Sequence, residues 1–358
     1  MSFETVQWFL ERCAEYALSA VSSWDGVTAA VGEISGMFTR FTSGLAWPYA
    51  LASVTIAGGA YLLSKPRAAW SAKAFSAFLF PAHVFAHPSA RLDYRFYVVS
   101  LLFNVFFCFP MLAGLGAIAG KIGSAVLAGY AGWAPPVTLS VPALFAAALG
   151  FYLLHDFMNY WSHMLLHKVP LLWAFHQVHH SAEVLTPLSA YRAHPVEFFV
   201  TTIFRVPVIG SAFIFYQAIP AHELAVTTVF GVSLVAFMYG LSGFHLQHSH
   251  LPISYGPLLD RVLLSPIVHQ THHSIDPRHH DKNFGVKFAL WDWVFGTLCV
   301  PDRHECLQFG LVGMKKDEFS TVGKLYAGPF QRVGRLIRRS VASGPLTRSQ
   351  DAVRSEGL

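Results

Sequence analysis

Apolar residues in this chain fall in long blocks rather than in the alternating or three-and-four pattern of a half-buried element. Five blocks are long enough for a membrane-crossing helix: Gly44 to Leu63, Phe96 to Gly120, Pro136 to Leu154, Phe198 to Ile219 and Leu224 to Phe244. About 20 apolar residues cover the ~30 Å of bilayer hydrocarbon. The fourth block carries Arg205, and only residues 220–223 separate it from the fifth, so this pair is either two spans or a hairpin that enters the bilayer and returns. The pattern predicts an all-α integral membrane protein with four to five transmembrane or hairpin helices. Residues 1–43 precede the first block as an amphipathic, acidic segment, without the basic region, apolar core and cleavage site of a signal peptide.

Composition strengthens this reading: 54% hydrophobic and 13% charged residues are too apolar and too charge-poor for an ordinary soluble domain. Charge then orients the chain. Residues 64–95 carry Lys65, Arg67, Lys73, Arg91 and Arg95, and the tail carries Lys315, Lys316, Arg332, Arg335, Arg338 and Arg339, whereas residues 121–135 hold one lysine. The positive-inside rule puts the N-terminus outside and the C-terminus inside, with residues 155–197 and 245–358 on the cytoplasmic face. The net charge of +5 does not argue for nucleic acid, because Lys and Arg lie beside apolar blocks rather than in one basic stripe. Phe330 to Arg339 alternates apolar and basic positions, as suits a helix on an anionic leaflet or a solvated tail helix. Cys13, Cys108, Cys299 and Cys306 form no CxxC pair, which leaves no disulfide framework or cysteine zinc site.

Histidine changes the picture most. The stretch 163–180, "HMLLHKVPLLWAFHQVHH", holds five histidines. His163 and His167 are four apart and share a helix face; His176, His179 and His180 form HxxHH, a spacing that His269, His272 and His273 repeat after the cluster His245, His248 and His250. Neutral imidazole ligates Fe, Zn, Cu and Ni, and so many grouped histidines exceed one tetrahedral site, so the pattern points to two metals. A proton relay needs no HxxHH repeat, and haem would want single axial histidines. A non-enzymatic membrane protein for divalent-metal transport or storage is the alternative, although it should place ligands mid-membrane, where the five blocks hold almost no ionisable residue.

"HDFMNYWSHMLLH", "AFHQVHHS", "QHSH" and "SPIVHQTHHSIDPRHHDKNFGVKFALWDWVFGT", in this order over roughly residues 150–300, resemble the membrane-bound fatty acid hydroxylase and sterol desaturase superfamily. The chain is thus expected to divide into four regions: the N-terminal segment 1–43, a transmembrane region 44–149, a catalytic region 150–300 that carries the resemblance, and a basic cytoplasmic tail 301–358. The resemblance implies a cytoplasmic helical cap carrying a non-haem di-iron centre, with zinc as a possible substitute, that uses O2 as co-substrate to hydroxylate or desaturate an unactivated C–H position of a lipid. The ligands it implies are His163, His167, His176, His179, His180, His248, His269, His272 and His273. His250 stands where an asparagine is commoner, which leaves open whether His245 or His250 also touches metal. Asp156 is expected to accept a hydrogen bond from a ligand imidazole, or else to cap a helix. His194 of "YRAHPVE", with Arg192 and Glu197, is expected to serve the reaction from beside the ligands or as a further ligand. His155 reads as a polar cap, His83 and His87 as interfacial, and His279 and His280 as exposed. With no GxGxxG, CxxCH or ferredoxin-like cysteine run, electrons are expected from a separate donor, ferredoxin or cytochrome b5 with its reductase.

Overall fold

The computed structural model describes residues 11, 15, 18, 21–37, 39–40, 45–108, 138–217, 219–220, 228–229, 232–302, 305–315 and 317–342. Among them the chain is almost wholly helical. Helices α1 (Trp24–Gly36), α2 (Trp47–Ser64), α3 (Ala72–Leu79) and α4 (Pro88–Phe103) come first. Then follow α5 (Val141–Lys168), α6 (Pro170–His180), α7 (Pro195–Gln217) and α8 (Leu234–Gly240). Last are α9 (Pro266–His272), α10 (Leu290–Phe295) and α11 (Val322–Ala342).

The first apolar block is α2. The second starts within α4, which runs into a π-helical turn at Asn104–Cys108, and its remainder lies outside the described residues. The fifth block departs from expectation. Among its described residues helix covers Leu234–Gly240, and before it Thr228–Val229 pairs antiparallel with Val232–Ser233. Three of those four residues are β-branched, which favours extended backbone over helix.

Among the described residues two helices are long and apolar enough to cross a membrane, Val141–Lys168 and Pro195–Tyr216. Only 17% and 6% of their most apolar windows are buried by protein, and Leu149, Leu154, Ile203 and Ile209 are exposed. A soluble core helix would be covered. Helix α5 has 28 residues, which makes it about 42 Å long, so a spanning segment of ~30 Å would leave about two helical turns beyond the hydrocarbon. Arg205 does not sit unanswered in the fourth block: its Nε donates to Asn159 Oδ1 of α5 at 2.5 Å, and Phe151 meets Phe215 and Tyr216 across the same α5–α7 contact.

Proline sets the turn that matters most. Val169 precedes Pro170 and is extended (φ −95°, ψ 113°), as a residue before proline prefers, so α5 stops and α6 folds back beside it. Leu92, Phe96, Val178, Phe319 and Leu325 then form one buried cluster that packs α4, α6 and α11 together.

Candidate metal centre

The backfold of α6 on α5, closed by α9 and the 245–250 segment, gathers nine histidines into two groups. His163, His167, His176, His180 and His272 form one, with one ring nitrogen from each lying within 4.8 Å of the others; His179, His248, His269 and His273 form the second by the same measure. Helical geometry explains the partition. Residues four apart share a face while adjacent residues diverge by about 100°. In the first HxxHH, His176 and His180 therefore join the five-histidine group and His179 the other. The second HxxHH is reciprocal: His269 and His273 go to the four-histidine group and His272 crosses to the first.

Hydrogen bonds fix which nitrogen faces inward. Nδ1–H of His163 donates to the carbonyl of Phe284 at 2.7 Å, and Nδ1–H of His272 donates to the carbonyl of Lys282 at 2.8 Å. A carbonyl only accepts, so Nδ1 carries the hydrogen and Nε2 presents a lone pair. His176 Nδ1 lies 2.6 Å from Glu197 Oε2, both groups buried, which orients a third ring in the same way.

The inward atoms fit a cation better than they fit one another. In the first group Nε2 of His167, His180 and His272 is buried without a hydrogen-bond partner. In the second, Nε2 of His248 lies 3.2, 3.1 and 3.1 Å from Nε2 of His179, His269 and His273. A neutral imidazole has one hydrogen and one lone pair, so four converging nitrogens cannot all be satisfied by mutual hydrogen bonds. Burial holds the rings outside the spanning helices neutral. It pushes His179 down to about 3, and it takes His176, His180, His248, His269, His272 and His273 well below their ordinary range, with neighbouring imidazoles adding to the effect. Neutral nitrogen is what a metal needs.

Other candidates lie elsewhere. Nε2–H of His250 donates to the Phe78 carbonyl, and His245 packs on Phe244; neither belongs to either group. Asp156 does not meet a cluster imidazole, nor does it cap a helix. It is buried in the middle of α5, where Oδ2 accepts from the backbone N–H of Phe288 and the indole N–H of Trp291. Seven residues separate Asp156 from His163 on the same face, which puts it about 10 Å along the axis, beyond hydrogen-bond reach. His194 spends Nε2–H on the Tyr326 carbonyl and Nδ1 on the Val196 N–H, while its own backbone N–H donates to Glu197 Oε1. The carboxylate that reaches an imidazole is thus Glu197, the last residue of "YRAHPVE".

His155 sits near Asn159 and Lys287, and His87 accepts the Ser89 N–H at the start of α4. His280 is exposed as expected, but His279 is buried, 3.4 Å from Glu305. The group Asp276, His279 and Glu305 has ligand-like spacing. Arg278 already pairs with both of its carboxylates, at 2.7 and 2.6 Å, and answers their charge.

A cavity of about 620 Å³ reaches the five-histidine group at His167, His180 and His272 and is closed opposite by residues 310–315.

Residues 148–297 match the fatty acid hydroxylase family, and all nine histidines lie inside that range. The ornithine lipid hydroxylase OlsE of Rhizobium tropici is 31% identical over 196 residues, 54% of this chain and 53% of the relative. The alkylglycerol monooxygenase of Xenopus tropicalis is 33% identical over 156 residues, 44% of this chain and 31% of the relative. The lathosterol oxidase of Mus musculus is 26% identical over 165 residues, 45% of this chain and 48% of the relative. The chain thus spans about half the length of the first and under a third of the second. No solved structure matches it. Over residues 148–297 the chain is thus similar to the fatty acid hydroxylase and sterol desaturase superfamily.

Proposed function

We propose that this protein is a membrane-bound non-haem di-iron oxygenase that hydroxylates or desaturates a C–H position of a lipid. The observation that carries this is the pair of adjacent all-histidine groups, whose inward nitrogens either lack partners or crowd one another at 3.1–3.2 Å. The relatives add that an ornithine lipid hydroxylase, an alkylglycerol monooxygenase and a lathosterol oxidase are similar to this chain. On this reading the nine histidines hold two irons, one per group, and zinc can take the same nitrogens in vitro. When bound, the irons supply O2 activation. Hydroxylation consumes one C–H bond, O2, two electrons and two protons and yields the alcohol and one water. Desaturation uses the same oxidant and electrons, removes two hydrogens and yields two waters.

The chain's own part is to position. Backbone carbonyls of Phe284 and Lys282 and the Glu197 carboxylate hold ring tautomers, so that the lone pairs are aimed before any metal arrives. Trp173 packs on the rings of His167 and His180 at the edge of the cavity and fixes their orientation. Helices α5 and α7 anchor the site in the bilayer, the histidine ends of α5 and α6 lie in a cytoplasmic cap, and the N-terminus is outside. The region boundaries at 43, 149 and 300 follow the same scheme. Electrons come from a separate donor, ferredoxin or cytochrome b5 with its reductase.

The test compares lipid extracts by mass spectrometry from cells expressing the wild type or His272→Ala, with iron measured on the same membranes. A species heavier by one oxygen or lighter by two hydrogens, present only with the wild type and accompanied by more bound iron, supports the reading. Identical lipids with altered metal uptake would turn it toward transport or storage.

A further inference from the structure

Two cavities flank the histidine groups and differ in chemistry. The apolar one, about 460 Å³, lies between α2 and residues 245–251, with Trp47, Val54, Phe85 and Leu251 among its walls and no histidine of either group. The polar one, about 620 Å³, is bounded by His167, His180, His272 and His273. The first three of these carry the buried Nε2 atoms that lack partners. A substrate that reaches the five-histidine group arrives through the polar cavity.

The opposite wall of that cavity comes from outside the family segment. It is built by Gly310 to Lys315, Glu318 and Arg332, whereas the family match ends at residue 297. Charge is concentrated there. Arg332 pairs with Glu318 at 2.5 Å and also donates to Gln177, and Asp281 on the near wall pairs with Lys168 at 2.6 Å. Among the described residues Lys315 enters no ion pair, and it is exposed at the cavity rim. A hydrocarbon chain laid across these groups would strip their water and return no hydrogen bond. An acidic headgroup would replace that water, while Leu311, Val312 and Met314 offer apolar contact to the first carbons of a chain.

We propose that this cavity seats the headgroup of the substrate, an amphiphile whose acidic oxygens meet Lys315, so that the carbon facing the five-histidine group belongs to the headgroup or to the carbons next to it. This rests on the oxygenase reading above and narrows its substrate to a lipid with an anionic or zwitterionic head.

The experiment uses the full-length protein in detergent micelles, loaded with cobalt(II) as a paramagnetic reporter. Two probes carry a terminal trifluoromethyl group: a lysophosphatidylcholine followed by phosphorus NMR, and an N-palmitoyl glycine with a labelled carboxyl carbon. The headgroup resonance of one probe should broaden several-fold more than the fluorine resonance of its chain end, and the probe that does so tells phosphate from carboxylate. Met314→Trp, which fills the cavity, and Lys315→Glu, which reverses the rim charge at an exposed position, should each remove most of that broadening at unchanged cobalt content. Stronger broadening at the chain end would overturn the proposal and favour the apolar cavity, as would equal broadening in both variants and the wild type. A protein that takes up no cobalt would overturn the metal-centre reading itself, and the proposal with it.

Discussion

His179 and His180 are adjacent in the chain yet serve different groups: His179 Nε2 lies 3.2 Å from His248, while His180 shares a group with His163, His167, His176 and His272. Single alanine substitutions should therefore sort by group rather than by position in the sequence. His180→Ala and His272→Ala should each lower metal content by about one equivalent, and combining them should remove little more, because both act on one site. His179→Ala with His180→Ala should strip both sites. Metal analysis of the purified variants reads this directly, and a within-pair loss equal to the across-pair loss would refute the two-site partition.

Glu197 holds the His176 ring from behind at 2.6 Å. Glu197→Gln keeps the shape and removes the charge, so metal affinity should fall by about 10- to 100-fold, the usual cost of losing an outer partner of a ligating histidine. Isothermal titration with zinc, compared against His194→Gln, separates the two residues. Since His194 reaches the site only through its backbone N–H to Glu197, its variant should bind within a few-fold of the wild type.

The parts legible in the sequence were those governed by helical period. The spacings 163/167, 176/179/180 and 269/272/273 prescribe shared faces whatever surrounds them. What escaped was decided by contacts distant in sequence. Asp156 and Glu197 are both acids near histidines, and the family resemblance favoured the first, which precedes His163 on one face. The structure instead gives Asp156 to Phe288 and Trp291, 132 and 135 residues on. His279 looked exposed because its burial depends on Glu305, in a segment joined to it by the bridge between Ser274 and Phe309. Thr228 to Ser233 reads as part of an apolar span by hydropathy, which is blind to the β-branched content that turned it into paired strands.

A buried ion pair braces the helices that carry the histidines. Arg192 and Asp93 are both about 1% exposed, and the guanidinium also donates to Ser181 Oγ and to the carbonyl and hydroxyl of Ser89. It thus joins the start of α4 to the residue just after His180. Arg192→Met leaves Asp93 charged and buried without its partner, which should cost about 3–5 kcal/mol of stability. Thermal unfolding should register this as a clear fall in midpoint, and Asp93→Asn combined with Arg192→Met should recover part of it. Equal stability of wild type and Arg192→Met would mean the pair contributes nothing net.

The neutral imidazoles predict how stability of the metal-free protein responds to acid. Their folded-state affinities for protons lie below the unfolded value near 6.5, with His179 down to about 3 and His176, His180, His248, His269, His272 and His273 well below their ordinary range. The unfolded chain therefore binds protons that the folded chain refuses. Stability is fully present above the unfolded value and falls as pH drops below it. Each histidine contributes a slope of about 1.4 kcal/mol per pH unit, so several acting together should make the loss steep between pH 6.5 and 5. Bound metal occupies the same lone pairs and should move the fall to lower pH. Chemical denaturation at stepped pH, with and without zinc, measures both curves. A metal-free protein whose stability is flat from pH 7 to 5 would show that the histidines are already solvated, and the buried centre described above would be wrong.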